Sequence, residues 1–119
     1  LTTGYIYVVR SLSSNPEILQ YKSLYKIGFA AGSVEKRIAN AKNEATYLYA
    51  PVKIVATWEV QNFSGRKLET VIHHRFEAKQ IQISIPTANG KIENPKEWYL
   101  VSLDEIEASI NDIIVKLNS

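Results

Sequence analysis

The sequence predicts an α+β domain: a small central three-stranded antiparallel sheet flanked by helices, with an extra short hairpin near the C-terminal third. Three observations predict it. Residues 4–10, 24–29 and 53–60 are short runs of β-branched and aromatic side chains. Apolar residues recur at helical spacing over 34–43, 65–78 and 103–117. Ser, Asn, Pro and Gly punctuate the joins between these runs. A chain of 119 residues is the length of one domain and can bury a core without covalent staples.

Each element has its own signal. GYIYVVR at 4–10 reads as a buried strand, and SLSSNPEILQ at 11–20 as a loop. Leu24 to Phe29 is a second strand, expected to pair antiparallel with the first. Ser33 sits where an N-cap belongs, and Val34, Ile38 and Ala41 form the stripe of a helix over 34–43. Asn43 and Tyr47 to Pro51 lead out of it, and KIVATWEV at 53–60 is the third strand. A second helix begins near Ser64 and runs to about Ala78, with Leu68, Val71, Ile72 and Phe76 as its apolar stripe. QIQISI at 80–85 alternates and reads as a half-exposed strand; Asn89-Gly90 is a turn, and 97–101 another short strand. Ser102 and Glu105 make a capping box for a helix whose stripe is Ile106, Ile110, Ile113, Ile114 and Leu117.

Composition narrows the function classes. The chain has no cysteine, which excludes disulfides and thiolate metal sites, suits a reducing compartment and leads us to expect a cytoplasmic protein. No stretch resembles a transmembrane span or a signal peptide. The net charge of +2 permits nucleic-acid binding without demanding it. The chain lacks methionine and opens on Leu1, so residues 1–119 are expected to be a single domain excised from a longer protein, with that protein's other domains as partners. The sequence has no HExxH, CxxC, Gly-x-Ser-x-Gly, Walker or Rossmann signature.

The residues that could carry chemistry are few. In the first strand Tyr5, Tyr7 and Val9 share one face. Lys26 lies between apolar neighbours on a short strand, where it marks either a solvated face or a ligand for an anion. Arg37 falls at the margin of the Val34–Ile38–Ala41 stripe, where it either covers apolar surface or binds an anion. Glu69 lies at the edge of the second helix's stripe, and His73 follows four residues on along the same margin. That pair is either an exposed contact or part of a divalent-ion site.

Taken together, these residues resemble the GIY-YIG nuclease family. Ile6-Tyr7 is similar to the end of its first motif, with Tyr5 in the place of the glycine. Lys26-Ile27-Gly28 is similar to its second motif, with lysine replacing the first tyrosine, as in some phage and bacterial branches. Arg37 follows on the first helix and Glu69 on the helix after the third strand. The stretches 33–38, 46–57, 68–73 and 97–101 extend the similarity over most of the chain. The first motif lacks its glycine, the loop between the motifs is long, and the family's late asparagine has no assigned counterpart.

The resemblance implies a GIY-YIG-type endonuclease that hydrolyses DNA phosphodiester bonds with one Mg²⁺ or Mn²⁺ ion. It implies Tyr7 as general base, with Lys26 or Arg37 favouring its phenolate. It also implies Lys26 hydrogen-bonding the attacking water, Arg37 holding the scissile phosphate and Glu69 holding the metal. His73 would orient Glu69 or assist proton transfer. These four side chains, Tyr7, Lys26, Arg37 and Glu69, are expected around one solvent-accessible concavity. A catalytically silent nucleic-acid-binding module and a protein-interaction domain are the alternatives.

Overall fold

The computed structural model describes residues 2–87 and 89–117. Strand β1 (Thr2–Ser11) lies at the centre of the main sheet, between β2 (Leu24–Ala30) and β3 (Val52–Gln61). Both neighbours run antiparallel to it, with Tyr7 opposite Gly28 on one side and Thr57 on the other. Two short strands, β4 (Ile85–Pro86) and β5 (Ile92–Glu93), form a separate antiparallel hairpin, as expected for the C-terminal third. The sheet differs from expectation in having four strands. Its fourth, β6 (Trp98–Leu100), pairs with Leu24–Lys26 at the outer side of β2.

The alternation along β1 sorts the helices between the two faces. Ile6 and Val8 face one core with Ile27, covered by α3 (Gly65–Arg75) through Leu68 and Ile72 and by α4 (Leu103–Leu117) through Ile106, Ile110 and Ile113. Tyr7 and Val9 face a second core with Ala30, covered by α2 (Val34–Ile38) through Val34 and by Ala41 and Tyr47. The helix starts are capped as read: the hydroxyls of Ser33, Ser64 and Ser102 accept from the backbone N–H of Lys36, Lys67 and Glu105.

Four sequence expectations are corrected. The loop at 11–20 holds a single helical turn, α1 (Pro16–Leu19), started by the Asn15 side chain and a proline at its first position. The helix over 34–43 stops at Ile38, and a separate 3₁₀ turn at Ala41–Asn43 returns Ala41 to the core. The helix over 65–78 ends at Arg75 and continues as a 3₁₀ turn at Glu77–Lys79. Of the strand read at 80–85, Ile85 lies in β4 and Gln80 makes a single bridge to Tyr99. Ile81, Ile83 and Ile85 pack beside Trp98 in a third, smaller core, so the alternation reports packing more than pairing.

Candidate functional site

Lys26 is a buried cation. It is 1% exposed, which overturns the solvated-face reading. Lys26 alternates with Tyr25 and Ile27, and this puts its side chain on the Tyr7 face of the sheet. There its ammonium pairs with the Glu97 carboxylate, just ahead of β6, and lies 5.3 Å from the Tyr47 ring centroid. Burial pulls the ammonium's pKa down, and the Glu97 charge beside it opposes that shift.

Tyr7 is equally enclosed, and its hydroxyl lies 2.7 Å from that of Tyr47. Its phenol is pushed well above the ordinary tyrosine range, first by burial and then by the Tyr47 bond; Arg37 opposes this only in part. Arg37 does favour the Tyr7 phenolate, as expected, but desolvation of the anion outweighs that nearby positive charge. Arg37 is about half exposed. It reaches Glu44 at 3.2 Å and its guanidinium carbon lies 5.2 Å from the Tyr47 ring centroid. A cation over an aromatic face is a favourable contact in its own right.

On the other face, Glu69 and His73 stand one turn apart on α3. The strand β6 ends its pairing with β2 at Lys26, so the outward-facing backbone of Ile27 and Phe29 has no strand beside it. Other groups use that free edge. The Ile27 N–H donates to the Glu97 carbonyl at 3.2 Å. The Ile27 carbonyl lies 2.7 Å from His73 Nε2. The Phe29 N–H faces the Glu69 carboxylate and favours its charged form. A carbonyl can only accept, so His73 carries a proton on Nε2. The imidazole also stacks on Tyr99 at 5.7 Å.

These contacts gather three donors. One ligating atom from each of Glu69, His73 and Glu97 lies within 4.8 Å of the other two. Burial raises the Glu69 carboxyl's pKa, and the Glu97 charge adds to the rise; His73 and Lys26 act against it. Two carboxylates held together with a fixed imidazole form a donor set suited to a divalent cation. Histidine ligands commonly donate their second ring nitrogen to a backbone carbonyl, as His73 does. His73 and Glu97 also line an open concavity of about 380 Å³, with Thr70, His74, Lys96 and Tyr99 among its walls.

Of the four residues expected around one concavity, Lys26 stands within electrostatic reach of both Arg37 and Glu69. Arg37 and Glu69 come from helices on opposite faces of the sheet, and Tyr7 and Lys26 are buried. Two groups of residues result, Tyr7–Tyr47–Arg37 and Glu69–His73–Glu97, and the Lys26–Glu97 pair joins them. Sequence reasoning left Glu97 unassigned and took Tyr47 as part of a connection. A lysine amid apolar strand residues did signal that a counter-charge was needed. Nothing in the pattern said that it came from position 97.

Residues 4–114 match the T5orf172 domain. The chain belongs to the T5orf172 domain family. This is a different, nuclease-associated family, and it overturns both the GIY-YIG resemblance and the assignment as a GIY-YIG-type endonuclease that followed from it. Short motifs such as Lys26-Ile27-Gly28 carry little information beside a match over most of the chain. This chain is 50% identical over 118 residues to a curated relative, uncharacterized protein YeeC of Bacillus subtilis (strain 168). That alignment covers 99% of this chain and 31% of the relative. No solved structure matches this chain. Among the described residues, no helix is long and apolar enough to cross a membrane.

Proposed function

We propose that this T5orf172 domain binds DNA and hydrolyses its phosphodiester backbone at a centre built on one divalent ion. The observation that carries this reading is the convergence of Glu69, His73 and Glu97 to within 4.8 Å beside the buried ammonium of Lys26. The reading rests on these residues and on the nuclease association of the family, and it takes no role from the GIY-YIG pattern. Glu69, His73 and Glu97 would hold Mn²⁺ or Mg²⁺; the nitrogen donor favours Mn²⁺, and three protein ligands leave positions open. A divalent ion held there would offset phosphoryl charge and acidify a water.

The chain's own residues supply the rest. The Nε2 bond to Ile27 fixes the His73 ring, so Nδ1 would be its ligating atom. Lys26 holds Glu97 in position and contributes a fixed positive charge between the two residue groups. Arg37, half exposed, is the side chain with a fork suited to a phosphate. Its contact with Glu44 is an exposed ion pair, which is weak enough to exchange for a phosphate.

A second reading, DNA binding without turnover, is favoured by one observation: the Glu97 carboxylate is already paired with the Lys26 ammonium. Plasmid nicking by the purified domain with Mn²⁺, Mg²⁺ or a chelator separates the two. Hydrolysis predicts metal-dependent nicking that Glu69→Ala and Glu97→Ala abolish while DNA affinity is kept. Binding alone predicts parental affinity and no nicking under any metal condition.

A further inference from the structure

Arg10 on β1 and Lys53 on β3 are directly opposed in the ladder, so their side chains leave the same face of the sheet. Like charges in that relation repel and destabilise a sheet. Both side chains are exposed, and among the described residues neither makes an ion pair. Arg10 also lines a small cavity of about 130 Å³ with Ser11, Tyr21, Lys22 and Tyr25. No carboxylate is among the lining residues. The Ser11 hydroxyl oxygen accepts from the Ser13 N–H at 3.0 Å, so its own hydrogen remains to donate. The cavity has room for several waters and so for a small oxyanion.

We propose that Arg10, Lys22 and Lys53 form a phosphate-binding subsite, with the Ser11 hydroxyl as a further donor. The ligand class is a phosphate group carried on a DNA backbone. Tyr25, on the cavity wall, pairs across β2–β6 with Tyr99, which stacks on His73 of the metal-donor cluster. Two strand spacings of about 4.8 Å separate β6 from β1, so the subsite stands about 10 Å from Tyr99 across the sheet. A few nucleotides span that distance, at about 3.4 Å of rise each. A backbone whose phosphate meets the donor cluster therefore has another phosphate within reach of Arg10. The assignment of the phosphate to DNA rests on the function proposed above; the phosphate subsite itself does not.

The test uses Arg10→Gln/Lys53→Gln, Lys22→Gln and, as control, Lys91→Gln in the β4–β5 hairpin region. DNA affinity is measured against salt concentration, and inorganic phosphate is titrated while the backbone amide signals of Arg10 and Ser11 are followed by NMR. The double variant is expected to fold with an unchanged or higher melting temperature, since a repulsion is removed. Its DNA affinity is expected to drop on the order of tenfold, with the salt slope reduced by about one for each cation lost. Lys22→Gln should lose about one in slope and Lys91→Gln none. Parental affinity and slope in the double variant overturn the subsite while leaving the proposed function standing. If the parent does not bind DNA but phosphate shifts Arg10 and Ser11, the subsite stands as a free-phosphate site and the DNA reading falls. If neither ligand has an effect at Arg10, the subsite is overturned.

Discussion

Gly28 faces Tyr7 across the β1–β2 ladder so closely that a Cβ at Gly28 would stand 2.6 Å from the Tyr7 hydroxyl oxygen. The ring has no free path of retreat, because it is 1% exposed and its hydroxyl is bonded to Tyr47. The glycine is needed here for space, so that an aromatic ring can cross directly over the neighbouring strand. Gly28→Ala is expected to cost about 1–3 kcal/mol, the range for overpacking a filled core. Urea unfolding measures it, and an unchanged midpoint would show that the ring can move aside.

The Lys26–Glu97 pair separates stability from function. Lys26→Met replaces a buried charge by an apolar chain of similar length, so stability should stay within about 1 kcal/mol of the parent or rise. DNA-directed activity should nevertheless fall, since the fixed charge is gone. Glu97→Gln leaves the ammonium buried without its counter-charge. It should cost about 1–3 kcal/mol, below the roughly 3–5 kcal/mol of a fully enclosed pair, because Glu97 is 37% exposed. Chemical denaturation of both variants gives the comparison, and equal losses would contradict it.

The domain is expected to bind one Mn²⁺ with open coordination and to release it to a chelator without unfolding. Three donors from one helix and one strand end are too few for a closed structural site. Glu69→Ala, His73→Ala and Glu97→Ala should each weaken binding by tenfold or more, on the order expected for losing a ligand or its orientation. Calorimetric titration with Mn²⁺ reads this directly. Full affinity in Glu97→Ala would remove that residue from the set.

Stability should decline at alkaline pH. The phenols of Tyr7, Tyr47 and Tyr99 are all raised, burial being the first cause in each. The unfolded chain releases these protons near pH 10, whereas the folded chain retains them. The folded state therefore binds more protons above that pH, and stability falls as pH rises. Their contribution is fully present below about pH 10. Urea midpoints and phenolate absorbance, followed together across the alkaline range, check this. The three buried phenols should ionise only as the domain unfolds. Ionisation of all tyrosines in a still-folded domain would oppose it.

Local physics made most of the elements legible. The stripe Ile106–Ile110–Ile113 and the cap at Ser102 define α4 without help from any other segment. The runs at 4–10, 24–29 and 53–60 have strand character of their own and lie within the sheet as read. Tyr7, Lys26, Arg37, Glu69 and His73 stood out because charge or hydroxyl occurred where apolar residues were expected. Partners distant in sequence were not legible. Whether 80–85 or 97–101 joined the main sheet depended on which one met the edge of β2, and periodicity of two does not distinguish packing from pairing. Glu97 reaches Lys26 across 71 positions, and Tyr47 reaches Tyr7 across 40. The backbone of Ile27 and Phe29 became a seat for His73 and Glu69 only because β6 ends early beside it. Residue type and spacing decide which segments can fold and which groups can carry charge. How far each is desolvated, and which charge stands opposite, is decided by contacts between segments far apart in the chain, and those exist only in the folded structure.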